Sequence, residues 1–214
     1  MRQDASISRR FAVQGTAVAG VALLVGGAGF EATSAHAEDG SAEEIEETQY
    51  GFLVDTANCV NCRECVKACV RYNGTADGTA RREVVAYESS FGTTAHVSLG
   101  CMHCGDPSCL KVCPAGAIAK RPDGIVVVDS ERCIGCKYCY QACPFGVPHY
   151  GSNGMDKCDC CLGSGIAAGD APRCVQACAF DALVFGKLPE LQANKAYKGA
   201  HQVEASTKPS YLIR

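Results

Sequence analysis

Apolar residues in this chain come mostly in short runs, and only the first run is long. Residues 11–30, from Phe11 to Phe30, form an uncharged stretch rich in Ala, Gly and Val. Residues 38–49 are acidic and polar, with Ala42 and Ile45 the only apolar positions, and read as a flexible lead-in. Order is expected from Tyr50, because residues 50–55 (Tyr-Gly-Phe-Leu-Val-Asp) are apolar enough for a strand. Residues 83–87 and 96–99 have strand character within a spacer, 70–100, of scattered Gly, Thr and Arg. Residues 115–118 and 124–129 predict two short strands about the Arg-Pro-Asp-Gly turn at 121–124. Residues 180–185 predict another. The tail, 187–214, has no clear periodicity and is assigned no element.

Composition changes this picture. Of 214 residues, 17 are cysteine, seven are phenylalanine and none is tryptophan. With so few large apolar side chains the core needs another support, and cysteine offers one through disulfides or metal. The net charge is −3, with 20 Lys and Arg spread among 23 acids, so no basic surface points to nucleic acid. The length accommodates one sizeable domain or two small ones.

The N-terminus bears on compartment. Arg9 and Arg10 precede the uncharged run, and Ala35-His36-Ala37 follows it as a small-residue cleavage site. These are the three regions of an export signal, and the paired arginines resemble a twin-arginine signal. Such signals place phenylalanine where Ala12 stands, one position after Phe11. Five glycines in the run and the cleavage site favour removal over retention as an anchor. Residues 1–37 are therefore expected to be a cleaved export signal, and the destination the periplasm or the outer face of the cytoplasmic membrane. An exported cysteine-rich chain is ordinarily a disulfide scaffold, so spacing has to decide.

The cysteines fall into four groups: Cys59, Cys62, Cys65, Cys69; Cys101, Cys104, Cys109, Cys113; Cys133, Cys136, Cys139, Cys143; and Cys158, Cys161, Cys174, Cys178. The second and third end in Cys-Pro and lie about twenty residues apart, the pattern of a pocket for two cubane iron–sulfur clusters. A Cys-x-x-Cys-x-x-Cys loop wraps three iron corners of a cubane. The fourth cysteine comes too late to reach the same cube and ligates the neighbouring one. By this rule Cys101, Cys104 and Cys109 pair with Cys143, and Cys133, Cys136 and Cys139 with Cys113. Likewise Cys59, Cys62 and Cys65 pair with Cys178, and Cys158, Cys161 and Cys174 with Cys69. The expectation is sixteen ligands and four [4Fe–4S] clusters.

Disulfides explain this rhythm poorly, since cysteines so close in sequence would form strained local bridges. The fourth group alone would pass for a four-cysteine zinc site, but the other three need it as a partner. Cys160 has no role in the scheme; spacing favours Cys161 as ligand and leaves Cys160 a spare thiol. His103 and Lys157 adjoin ligands, where they either tune potential or are solvated. Tyr138 and Tyr140 are expected to pack over a cluster. The fold class is α+β: two ferredoxin-like 2×[4Fe–4S] units related by internal repeat, with short strand hairpins, short helices and extended loops. Residues 50–186 carry them, with 101–144 as one unit and the first and fourth groups as the other.

From Tyr50 to about Phe185 the four groups, in this order and spacing, resemble the four-cluster iron–sulfur subunit of dimethyl-sulfoxide-reductase-type molybdenum or tungsten oxidoreductases. That family includes the related subunits of nitrite, polysulfide and tetrathionate reductase systems and of some hydrogenases. The resemblance implies a wire of four clusters between a membrane quinol-oxidising or cytochrome partner and a separate molybdopterin catalytic subunit. Relatives that replace a third-group cysteine carry a [3Fe–4S] centre; Cys133, Cys136 and Cys139 are all present here, so four cubanes are expected. Ala179 departs from the family, which has proline after the last cysteine. No apolar stretch able to span a membrane follows the leader, so attachment would come from another subunit, with the tail a candidate contact for the catalytic partner. No nucleophile with a base and no carboxylate pair is evident, which makes this a non-catalytic electron-transfer subunit. The alternatives are a free-standing exported polyferredoxin, a hydrogenase-linked iron–sulfur subunit and a disulfide-stapled protein.

Overall fold

The computed structural model describes residues 48–74, 79–88, 92–151 and 154–214. The expected leader, 1–37, and residues 38–47 of the lead-in lie outside them. The elements run β1 (Tyr50–Val54), α1 (Glu64–Asn73), β2 (Glu83–Glu88), β3 (Thr94–Leu99), α2 (Ser108–Lys111), β4 (Ile118–Lys120), β5 (Val126–Val128), α3 (Tyr138–Ala142), β6 (His149–Gly151), β7 (Gly154–Asp156), α4 (Arg173–Gln176), β8 (Leu183–Lys187), α5 (Leu188–Ala193), β9 (His201–Gln202) and β10 (Tyr211–Ile213). The class is mixed α+β, built from short hairpins and short helices.

Strand β1 is buried along its length after Tyr50, so it needs cover on both faces and pairing on both edges. It lies inside a four-stranded sheet of order β8-β1-β10-β9. Strand alternation divides its side chains. Phe52 and Val54 join a core shared with Tyr211, Leu183 and several cysteines, whereas Leu53 faces Leu188, Leu191 and Leu212. Phe52 meets Phe185 and Tyr211 at ring-centroid distances of 5.0 and 5.5 Å, so the few aromatics are concentrated at one place.

The tail is the main departure from the sequence reading. It turns through α5 and β9, and β10 returns to pair in parallel with β1, Phe52 opposite Tyr211. Tyr211 and Leu212 are fully buried. A three-residue strand whose partner is distant in the sequence has no local periodicity to betray it. Gln49, ahead of the expected first strand residue, is also held: its carbonyl accepts from Leu188 N at 2.8 Å, and its amide donates to the His103 and Gly124 carbonyls at 3.1 and 3.2 Å.

The other sheets are hairpins, β2–β3, β4–β5 and β6–β7. Residues 115–117, expected to start a strand, instead form the turn after Cys113, and pairing begins at Ile118. This turn recurs. Gly116 N donates to Cys113 O, Gly146 N to Cys143 O and Asp181 N to Cys178 O, at 3.2, 3.3 and 3.4 Å, with the last residue of each left-handed. Ala179 thus supports the same turn that Pro114 and Pro144 preset. The β6–β7 hairpin was not assigned from sequence, although Ser-Asn-Gly at 152–154 is a hairpin-type signal.

Candidate iron–sulfur sites

Each cysteine group lies on an irregular loop that runs onto a helix. Asn61 and Arg63 in the first group, His103 in the second, Lys137 in the third and Cys160 and Cys161 in the fourth all have positive φ without being glycine. Left-handed residues of this kind cost about 1–3 kcal/mol each. They recur here because alternating the backbone hand turns successive N–H groups inward, forming the concave anion-binding turns found at iron–sulfur sites. Ala117 N and Met155 N reach Cys113 Sγ and Cys133 Sγ at 3.3 Å, and Cys160 N reaches Cys158 Sγ at 3.4 Å. All seventeen cysteines are free thiols.

The fold brings the sixteen expected cysteines together in four sets. Cys59, Cys62, Cys65 and Cys178 line one small cavity, and Cys113, Cys133, Cys136 and Cys139 line another. Cys69 and Cys161 share the Asn73 amide at 3.7 Å each, and Cys174 feels the charge of Cys158, Cys161 and Cys69. Cys101, Cys104 and Cys143 likewise all act on Cys109. Burial pushes the Cys69 and Cys109 thiols up to about 11 and Cys174 up to about 12, with neighbouring thiols adding to the shift. These sulfurs hold their protons at neutral pH until a metal displaces them.

The sets follow one another in space. Helices α1 and α4 pack together, and α1 carries both Cys65 and Cys69. The sets of Cys59 and Cys158 are therefore neighbours. Helices α2 and α3 pack likewise, which joins the sets of Cys101 and Cys133. Between the two pairs, His103 Nε2 meets Cys160 Sγ at 3.3 Å, and Cys158 acts electrostatically on Cys101. The order is thus Cys59 set, Cys158 set, Cys101 set, Cys133 set. The two exposed cysteines, Cys62 and Cys136, belong to the two terminal sets.

Every set also receives a polar side chain that the sequence did not single out. Ser98 Oγ lies 3.4 Å from Cys65 Sγ, Thr207 Oγ1 3.4 Å from Cys104 Sγ, and Tyr150 Oη 3.0 Å from Cys139 Sγ. Asn73 Nδ2 serves Cys69 and Cys161; its Oδ1 accepts from Arg81, which is itself paired with Asp156 and Asp159. Only Asn73, one helical turn after Cys69, and Tyr150, close to the Ser-Asn-Gly sequence at 152–154, had a local signal. Tyr138 and Tyr140, expected over a cluster, are exposed instead.

His103 and Lys157 are buried, at 1 % and 4 % exposure, and the solvated alternative is excluded. The His103 Nδ1 accepts from Val126 N at 3.1 Å, which leaves the proton on Nε2, facing Cys160 Sγ. The Lys157 ammonium donates to the Val126 and Cys158 carbonyls. His103, Cys158 and Cys160 have the composition of a small metal site, their ligand atoms lying within 4.8 Å of one another. With Nδ1 taken and Cys158 in a four-thiol set, they form a bridge between two sets.

A cubane cluster fits these residues. Four thiols per set match its corners, and inward N–H groups match its sulfides. Arg82 is buried with Nε and Nη2 unpartnered, a cation that feels the charge of Cys174 and Cys158, both thiolates once metal is bound. Bound clusters supply one-electron transfer. The fold and sites define a ferredoxin-type iron–sulfur electron-transfer protein.

Comparison with known proteins agrees. Residues 93–188 match the model of the 4Fe-4S dicluster domain. The chain is similar to the B subunit of the anaerobic dimethyl sulfoxide reductase of Escherichia coli (strain K12), 41% identical over 158 residues, covering 68% of this chain and 77% of that one. It is 40% identical over 154 residues to the thiosulfate reductase electron transfer subunit of Salmonella typhi, covering 69% and 80%. To the formate dehydrogenase iron-sulfur subunit of Wolinella succinogenes it is 39% identical over 159 residues, covering 63% and 80%. The chain belongs to the family of 4Fe–4S electron-transfer subunits of dimethyl-sulfoxide-reductase-type oxidoreductases.

Proposed function

We propose that this chain is the four-cluster conductor of an exported molybdopterin oxidoreductase. It relays electrons between a membrane quinol or cytochrome partner and a molybdenum or tungsten catalytic subunit. The carrying observation is the linear order of the four thiol sets with an exposed cysteine at each end. Electrons enter and leave a buried row only where a partner comes close to a terminal cluster. Val60 and Phe180 lie exposed near the Cys59 end, and Ile134 and Tyr138 near the Cys133 end, as apolar contact points for two partners.

The sixteen cysteines ligate four [4Fe–4S] clusters in the sets given above, as two ferredoxin-like units of two clusters each. Paired arginines before an uncharged run support export, with residues 1–37 removed and the protein working in the periplasm or on the outer face of the cytoplasmic membrane. No helix among the described residues is long and apolar enough to cross a membrane, in keeping with attachment through another subunit. The tail contributes to partner contact only by its outer side chains, since β10 is committed to the sheet.

The test is anaerobic purification from the native host, with iron counted per chain and co-purifying proteins identified. About sixteen irons together with a molybdopterin subunit is the expected result. Iron near zero overturns the reading, and about sixteen irons with no partner replaces it with a free polyferredoxin.

A further inference from the structure

Ser98 lies on β3, in the cysteine-free spacer between the first and second groups. It is 3 % exposed, and its Oγ is the one side-chain hydroxyl beside Cys65 Sγ among the described residues. Behind it sits the buried Arg82 guanidinium. With two protons for three acceptors, its Nη1 donates to the Tyr211 hydroxyl at 2.8 Å and shares its second proton between Ser98 Oγ at 3.1 Å and the Ser98 carbonyl at 3.2 Å. The Tyr211 hydroxyl in turn donates to the Ser98 carbonyl at 2.6 Å. Tyr211 is held by β10, so the serine is fixed from two directions.

The direction of the Ser98–Cys65 hydrogen bond follows from proton counting. A serine hydroxyl has one proton and two acceptor positions. Arg82 uses an acceptor position, and an iron-bound Cys65 thiolate has no proton to give. The serine proton therefore points at the sulfur. Arg82 makes this donor stronger. It forms no ion pair among the described residues, lies over the Phe52 ring at 4.6 Å, and keeps two donors unpartnered. A cation stripped of water to this degree, without a carboxylate, polarises whatever it touches.

We propose that Ser98, polarised by Arg82, is a potential-setting residue: its hydroxyl donates to Cys65 Sγ and raises the reduction potential of the cluster held by Cys59, Cys62, Cys65 and Cys178. This rests on the four-cluster reading above. When that cluster takes one electron from its neighbour it gains one negative charge and the neighbour loses one. A donor on a ligand sulfur stabilises the more negative form. The spacer hairpin thereby sets the potential at one end of the row.

The experiment is an anaerobic redox titration, followed by EPR, of the full chain with its clusters loaded and its iron counted. In Ser98→Ala, iron is expected to be unchanged while one cluster becomes about tenfold harder to reduce, about 59 mV for a one-electron couple. That cluster is identified as the one whose signal changes in Cys59→Ser. The other three hold their midpoints, and Ser98→Thr, which keeps the hydroxyl, returns the fourth to its original value. Full iron with four unmoved midpoints in Ser98→Ala overturns the proposal, as does an equal shift in Ser98→Thr. Where Ser98→Ala binds less iron, the comparison moves to Arg82→Lys and Arg82→Gln. A lower midpoint only in the neutral variant supports the proposal, and identical midpoints refute it. A wild-type chain without iron is a failure of the four-cluster reading, visible before any titration.

Discussion

Cys160 and Cys161 are adjacent and both buried, yet their sulfurs serve different ends of the same loop. Cys161 Sγ faces Asn73 beside Cys69, whereas Cys160 Sγ faces His103. Consecutive left-handed residues make that divergence possible. Iron analysis of single variants separates the two thiols: Cys160→Ser is expected to keep about sixteen irons, and Cys161→Ser to lose a cluster. The opposite pattern would reverse the assignment. Tyr150 offers a second residue-scale test. Its hydroxyl at Cys139 Sγ is a hydrogen bond to a ligand sulfur, worth roughly 1 kcal/mol. Tyr150→Phe should retain all iron and lower one midpoint in a redox titration, the cluster being the one that Cys136→Ser perturbs. An unmoved set of midpoints would remove Tyr150 from the electron-transfer site.

At the scale of elements, the parallel pair β1–β10 is the joint that holds the chain closed. It depends on Gly51, where a Cβ would collide with the Ser210 carbonyl oxygen, the same oxygen that accepts from Phe52 N at 3.0 Å. Gly51→Ala should therefore push β10 away and destabilise the protein by about 1–3 kcal/mol, the usual range for overpacking. A lower thermal midpoint of the cluster-loaded chain checks this, and an unchanged midpoint would mean that the tail is not under that constraint. The damage would extend beyond the sheet. Thr207 at Cys104 and Tyr211 behind Ser98 both arrive on the tail, so two cluster sites depend on a segment with no cysteine.

For the whole molecule, iron binding and folding are expected to be coupled. Cys65, Cys101, Cys158, Cys160 and Cys174 are buried in the main core together with Phe52, Val97 and Tyr211. Removing the clusters leaves the ligand thiols among these around empty space, with the Arg82 cation, whose Nε and Nη2 have no partner, and several left-handed turns uncompensated. Chelation under reducing conditions is thus expected to abolish near-UV circular dichroism and collapse amide-exchange protection in β1 and β10, as in other domains whose metal binding is part of folding. Native-like protection in the iron-free chain would show that the apolar core suffices without clusters.

Spacing alone determined much of this protein. The intervals within each cysteine group are local, a few residues long, and follow directly from how a loop wraps a cube. The 4Fe–4S chemistry and the α+β class of short elements were therefore legible before any coordinates. Most of the strands were legible too, because 50–55 and 124–129 are apolar where the chain is otherwise polar. Tertiary structure alone decided what lies beside those sulfurs. Ser98, Thr207 and Arg82 belong to stretches that carry no cysteine, and nothing local links a serine on β3 to Cys65. Strand β10 was invisible for the same reason, since its partner β1 lies far away in the sequence. The order of the sets was equally beyond the sequence. The second and third groups look central along the chain, but His103 against Cys160 joins the second group to the fourth and puts the third at one end of the row. Ligand spacing is a property of short segments, whereas the neighbours and sequence of the clusters depend on contacts between segments far apart in the chain.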